Sequence, residues 1–304
     1  MSVQWLQAKA ANLSNRAAVA WSLARPDRSS WCRRILFSPQ PTWEPMIRRS
    51  FAGRHAAHLE FAEFTQDRVR AADLVVPLSV EAARLLHAHP QWNVPTPMPL
   101  PAPEVVALCS DKVALNLALI DHGFGDHVPS MQVAGRYPHM LKKRCDENSV
   151  HTHVVHGPQD AARWEDCVSD PAYYTQRFVP GRKEYATHLL MRDGQAAAHL
   201  TVEYAFRSDT PIKGKDPSFH RLVACPDLRL LVHMLRAIGY EGLCCFNFKV
   251  EDGRVQILEL NPRFGGSLAH YFVLFVRRLE CGAASMPTQT SAAAAHHGGL
   301  ELRP

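Results

Sequence analysis

The chain has no apolar run that approaches the roughly 18–20 residues a membrane span needs. Its start holds no compact apolar stretch closed by a small-residue cleavage site. The expectation is a protein without a signal peptide, working in the cytoplasm and away from membranes. None of the eight cysteines forms a C-x-x-C pair, and only Cys244-Cys245 are adjacent. Reduced thiols therefore fit better than a disulfide framework. No Lys/Arg run exceeds a few residues, and the formal charge of +5 (34 Lys and Arg against 29 Asp and Glu) is small for 304 residues. Nucleic acid is not an expected partner, whereas an anionic small ligand suits that charge. No internal repeat is present.

What the chain does have is a globular composition, 46% hydrophobic and 21% charged, with length for one large or two ordinary domains. Its most informative stretch is 244–268. Two apolar runs, 246–250 and 255–260, flank Glu251-Asp252-Gly253-Arg254, which reads as a β-hairpin turn. The second run delivers Glu259, Asn261 and Arg263 at i, i+2 and i+4, a period that an extended strand places on one face. Asn247 on the partner strand can add a further oxygen. A carboxylate, an amide oxygen and a guanidinium suit a divalent cation and the phosphates it neutralises. The plainer alternative is an exposed polar edge. Pro262 and Gly265-Gly266 force the chain out of the sheet directly afterwards, which favours the functional reading.

Upstream, the pattern predicts a helix around 5–19, a strand at 34–37 stopped by Pro39 and Pro41, and a helix over 44–51. A strand over 72–78 runs into a helix over 79–89 that Ser79 caps. Strand then helix argues for a small α/β unit, and the Pro-rich segment 94–103 for a connector. Residues 105–108 are expected as a strand, followed by a helix that Ser110 caps and Gly123 ends. Lys112 stands at that helix start, where a cation opposes the dipole. An anionic partner would account for it; a solvated lysine is the alternative. Further strands are expected over 137–143, 150–155 and 173–179, and a hairpin over 183–206 about Arg192-Asp193-Gly194. A polar, mobile loop over 207–221 precedes an amphipathic helix over 228–238. An apolar helix over 268–279 leads to a low-complexity tail, 281–304, that reads as disordered.

Taken in order, these pieces resemble the ATP-grasp superfamily of carboxylate–amine (or thiol) ligases. The matching stretches are Ser-Asp-Lys at 110–112, Tyr-Pro-x-x-x-Lys at 137–142, Gln-Arg-Phe-Val-Pro-Gly-x-x-Glu at 176–184 and Leu-Glu-Leu-Asn-Pro-Arg-Phe-Gly-Gly-Ser at 258–267. The resemblance implies an α/β (α+β) architecture: an ATP-grasp domain over 105–280, with a lid subdomain at about 125–180. A small Rossmann-like pre-ATP-grasp domain over 31–104 precedes it, after a poorly defined segment over 1–30. ATP and Mg²⁺ (or Mn²⁺) are the implied cofactors. Lys112 and Lys142 match lysines that contact nucleotide phosphates. Gln176, Arg177, Phe178 and Val179 match the hinge whose backbone meets adenine, and Glu184 the carboxylate that holds the ribose. Glu259 and Asn261 match metal ligands, and Asn247 a more variable one. Arg263, with Lys142, matches the catalytic cations beside the transferred phosphate. The implied reaction activates a small carboxylate as an acyl-phosphate and joins it to an amine, releasing ADP and phosphate. Amino acids or a specialised metabolite are the expected substrates, and a homodimer is left open.

One departure stands out. The loop after the second lysine is glycine-rich in that superfamily, but here it reads Arg144-Cys145-Asp146-Glu147-Asn148-Ser149. Either Asn148 and Ser149 take over the turn, or the lid is impaired and the chain is a nucleotide-binding regulatory or scaffolding protein. Other candidates read more plainly. His151, His153 and His156 suit a solvated strand face better than a metal site, and Cys244-Cys245 suit the core. Lys213, Lys215 and Arg221 belong either to a solvated loop or to a phosphate clamp. Glu203 and Arg207 are weaker candidates of that kind. His270 is a helix histidine or a neighbour of the acceptor region.

Overall fold

The structure is a computed structural model. It describes residues 32–53, 57–94, 98–133, 135–146, 149–216 and 218–284, with side chains described through Leu279. The helix expected around 5–19 and most of the expected tail lie outside the described residues. The chain begins with β1 (Arg34–Phe37), α1 (Glu44–Phe51), β2 (His58–Phe61), α2 (Gln66–Ala71), β3 (Leu74–Val76) and α3 (Val80–Ala88). The three strands pair in parallel in the order β2-β1-β3. β3 is buried on both faces, as parallel strands covered by helices are, so its sequence is a continuous apolar run. Thr65 and Ser79 cap α2 and α3 by accepting the backbone N–H of Arg68 and Ala82. β2 escapes the sequence reading because only Leu59 of its four residues is buried.

Two helices follow, α4 (Pro103–Ser110) and α5 (Lys112–Leu119). The strand expected over 105–108 is therefore corrected to helix. Pro103 opens it, and its buried residues, Val105, Val106 and Cys109, keep helical spacing. The cap of α5 is corrected as well. Asp111 Oδ1 accepts the N–H of Val113 and Ala114 at 3.0 and 3.2 Å. The Ser110 hydroxyl instead donates back to Val106 O within α4.

A small antiparallel sheet, β5-β4-β6, is built from β4 (His139–Lys143), β5 (Thr152–Val155) and β6 (Tyr173–Arg177). Short helices α6 (Pro158–Arg163) and α7 (Glu165–Ser169) join β5 to β6. The large antiparallel sheet comprises β7 (Lys183–Arg192), β8 (Gln195–Phe206), β9 (Ser218–Val223), β10 (Gly242–Glu251) and β11 (Arg254–Asn261), in the order β11-β10-β7-β8-β9. β9 shortens the loop expected over 207–221. It is an edge strand with Phe219 70% exposed, and a strand bonded on one side only need not look apolar. Helix α8 (Leu228–Ala237) precedes β10, and α9 (Phe272–Ala284) closes the described chain, reaching into the expected tail.

Period-two alternation sorts the large sheet. Leu189, Met191, Cys244, Phe246, Phe248, Val255 and Ile257 join the buried faces of α4, α5 and α8 in one core. On the other face Leu190, Leu200, Val202 and Leu243 pack with α9 and with Phe37, Ile47 and Phe51 of the parallel-sheet unit. That second face turns polar at its other end, where Glu184, Asn247 and Lys249 are buried. Buried polar and charged groups need partners, and here Lys213 faces Glu184 and Asn247 while the Val179 and Gly181 carbonyls accept from Lys249.

Candidate active site

The site is organised by the β10–β11 hairpin. Its two turn residues, Asp252 (φ 49°) and Gly253 (φ 78°), both take the left-handed conformation that a tight two-residue hairpin turn requires. The pairing runs Val250 to Val255 and Phe248 to Ile257, but Asn247 then pairs with Glu259. Leu258 is thus an extra residue, a β-bulge. The bulge reverses the phase of β11. Val255 and Ile257 face the core, whereas Glu259 and Asn261 face the polar end of the opposite side. In a regular strand Glu259 would share the apolar face of Ile257.

A cleft of about 470 Å³ opens there. Its wall includes Lys112, Lys142, Phe178, Val179, Glu184, Asn247, Glu259, Asn261 and Arg263. Asn247 and Asn261 both donate their amide N–H to Glu259 Oε1, the latter at 3.0 Å. Lys112 Nζ lies 3.9 Å from Glu259 Oε2 and donates to Asp146 O at 2.8 Å. Lys142 Nζ donates to Gln176 Oε1 at 2.8 Å and to the bulged Leu258 O at 3.4 Å. Burial pushes the Lys142 ammonium down to about 8, against the pull of Glu259. Burial would raise the Glu259 carboxyl, but Lys112, Lys213, Asn261 and Lys142 outweigh it and hold Glu259 below the usual range. Glu184 goes the other way, raised by burial despite Lys213. Arg263 Nη1 donates to Phe264 O, and its guanidinium lies 5.8 Å from the Trp43 ring centroid.

Two residues of the expected hinge turn their side chains elsewhere. Gln176 is fully buried behind the cleft, where it accepts from Lys142 and donates to Pro129 O. Arg177 makes a fork of bonds to Glu251 at 2.9 and 2.8 Å and a third to Gln256 at 3.0 Å, outside the cleft. The next two residues, Phe178 and Val179, do line it. The lid loop is tied down from below by Lys112 and by Arg144, which pairs with Asp111 at 2.6 Å. Within that loop Ser149 takes the left-handed conformation, with φ 57°.

Sequence reasoning passed over several residues of the cleft. Lys249 Nζ donates to Val179 O and Gly181 O at 2.9 and 2.8 Å, and so clasps the hinge turn. The alternation that aims Asn247 at the site also aims Cys245 and Lys249 there, a signal hidden by their apolar neighbours. Trp43 comes from the start of α1, with no motif to mark it. Behind the cleft, His188 is buried and bonds Ser267 Oγ through Nε2 at 2.7 Å, and burial pushes it down to about 3. Lys213, which the sequence offered either as a solvated loop residue or as part of a phosphate clamp, enters the cleft from the segment before β9 and donates to Asn247 Oδ1. His153 of β5 lies tilted against Trp164 at a ring centroid distance of 3.7 Å, and His151, just before that strand, meets the edge of Tyr173 at 6.4 Å. His270 stacks on His220 at 6.0 Å.

Among the described residues no group of three or more His, Cys, Asp and Glu could hold a metal ion unaided. One carboxylate beside an amide, facing a cleft with several lysines, fits a hard cation that arrives with phosphate oxygens and keeps part of its water shell. The donor set thus fits Mg²⁺ carried by a nucleotide.

The architecture is that of the ATP-grasp fold. The chain is similar to an L-amino acid ligase from Bacillus licheniformis, at 15% identity and TM-score 0.55 over 80% of this chain and 70% of that one. A D-alanine–D-alanine ligase from Bacillus anthracis is similar at 12% identity and TM-score 0.54, over 83% of this chain and 92% of that one. So is the biotin carboxylase domain of a 2-oxoglutarate carboxylase from Hydrogenobacter thermophilus, solved with MgADP, ADP and bicarbonate. Its identity is 14% and its TM-score 0.55, over 86% of this chain and 72% of that one. No family model and no curated protein matches the chain.

Proposed function

We propose that this chain is an ATP- and Mg²⁺-dependent ligase that joins a small carboxylic acid, most simply an amino acid, to an amine. The observation that carries this reading is the convergence of Lys112, Lys142 and Glu259, from three distant segments, on one cleft. Lys112, Lys142 and Arg263 supply positive charge to a polyphosphate. Glu184 accepts from ribose hydroxyls, while Lys249 fixes the turn beside the adenine edge. Glu259 and Asn261 would hold Mg²⁺, which when bound neutralises phosphate oxygens. Phosphoryl transfer needs such positioning and charge neutralisation more than a protein nucleophile. Arg263, which lies against Trp43 in the cleft wall, would stabilise charge on the phosphoryl group as it moves to the substrate carboxylate. The amine then attacks the acyl carbon of the acyl-phosphate, forming the amide bond as the carbon–oxygen bond to phosphate breaks, and inorganic phosphate and a proton leave. Ser149 and the small sheet exclude water that would otherwise hydrolyse the acyl-phosphate.

The test combines ADP release across mixed amino acids with a thermal-shift titration of ATP and Mg²⁺. ADP release that requires an amino acid is expected, and Glu259→Gln should abolish it. Stabilisation by ATP with no release from any mixture would favour a regulatory nucleotide-binding protein, the reading to which the glycine-free Arg144–Ser149 loop points.

A further inference from the structure

We propose that Lys213 is a fixed cation of the phosphate site that occupies Asn247 in place of a metal ion, so that the chain takes a single divalent cation, on Glu259 and Asn261. The proposal rests on the nucleotide-binding reading above. Lys213 Nζ donates to Asn247 Oδ1, lies 3.7 Å from Glu184 Oε1 and stands 4.9 Å from the Tyr204 ring centroid. The orientation of the Asn247 amide is dictated by its neighbours. Its nitrogen meets a carboxylate oxygen and its oxygen meets an ammonium; reversed, like would face like at both ends. Both ends of the amide are thus engaged, and its oxygen is not open to a metal. The assignment of Asn247 as a metal ligand is replaced by that of a lysine acceptor.

The lysine is held in place by its own segment. Gly214 turns the chain with φ 91°. Asp216 Oδ2 accepts the N–H of Ile212 at 2.7 Å, and the N–H of Lys215 reaches Ile212 O at 3.1 Å. Two residues on, Lys215 Nζ donates to Val150 O and Thr152 O at 3.0 and 2.8 Å. The turn is therefore fastened to the small sheet by one lysine and to the large sheet by the other. The Asn247 amide carries no charge, and the carboxylate of Glu184 at 3.7 Å stands beyond hydrogen-bond distance, so Lys213 keeps N–H bonds for a phosphate oxygen. A divalent cation placed beside Asn247 would meet that ammonium directly and be repelled.

The test counts Mn²⁺ ions bound per chain by electron paramagnetic resonance during titration in the presence of ADP, with ADP affinity followed by calorimetry. The intact chain is expected to bind one Mn²⁺. In Lys213→Met a second, weaker Mn²⁺ should appear. Its ADP affinity should fall about tenfold at one equivalent of Mn²⁺, the loss of one charge-assisted contact, and recover in excess Mn²⁺. Lys213→Arg should keep the count at one. Two Mn²⁺ on the intact chain, or an unchanged count and affinity in Lys213→Met, would overturn the proposal while leaving the nucleotide reading in place. No ADP binding by the intact chain would remove both. If Lys213→Met fails to fold, the count on the intact chain still decides.

Discussion

Lys142 shows how one side chain sets a pH limit. Its ammonium is buried between Gln176 and the bulged Leu258 carbonyl, and burial lowers it to about 8. A bound phosphate favours the charged form, so binding takes up a proton and weakens as pH rises through that value. ADP affinity at pH 9 is expected to be about tenfold below that at pH 7, one pH unit past the midpoint. Calorimetry at the two values checks this, and Lys142→Met should bind weakly at both. His188 makes a complementary prediction about stability. Its folded value of about 3 lies below an unfolded value of roughly 6.5, so between them the unfolded chain binds the extra proton. Stability is therefore lost as pH falls below about 6.5, by roughly 2 kcal/mol at pH 5. Urea denaturation at pH 7 and 5 measures the difference, which should shrink in His188→Gln.

At the scale of elements the bulge decides which face Glu259 takes in the present sequence. Deleting Leu258 removes the extra residue and sets Glu259 directly after Ile257, so a regular ladder keeps it opposite Asn247 on the site face, while the bulged carbonyl that accepts from Lys142 is lost. Soluble protein with a thermal shift from ATP smaller than that of the intact chain is expected. The loop after β11 has equally little freedom: a Cβ on Gly265 would lie 2.5 Å from His188 Cε1 and 3.0 Å from Cys245 Sγ. Gly265→Ala should cost about 1–3 kcal/mol in chemical denaturation, as overpacked sites do. Much of this element was legible in residues. The turn, the spacing of Glu259 and Asn261 and the partner Asn247 are all visible in the sequence. The bulge was not, because period two alone gives no sign of an inserted residue. Val105–Leu108 misled because a four-residue apolar run reads alike in a buried strand and a buried helix, and only Pro103 before it argues for helix. Lys213 was visible as a lysine in a polar loop, but its partner Asn247 is remote in sequence and only the fold brings them together.

The whole molecule is tied by one apolar seam. Phe272 of α9 packs against Phe37 and Phe51 at ring centroid distances of 5.7 and 6.4 Å, and Trp43 against Phe264 at 5.7 Å. The parallel-sheet unit thus covers the base of the loop that carries Arg263. A fragment beginning at residue 103 would expose this seam, and an apolar face of that kind is expected to bind a hydrophobic dye and to aggregate. Fluorescence and sedimentation of the fragment against the full chain would show it. Among the described residues no helix is long and apolar enough to cross a membrane.

The placement of the β10–β11 hairpin has a consequence for synthesis. Every lysine that lines the cleft before β10 emerges from the ribosome ahead of Glu259 and Asn261. A nascent chain made only as far as β9 carries Lys112, Lys142, Glu184 and Lys213 but not Lys249, Glu259, Asn261 or Arg263, and it lacks the strand that sits between β7 and β11. The ligand set that the proposed function assigns to a nucleotide is therefore completed only with the last two strands of the sheet and the loop that follows them.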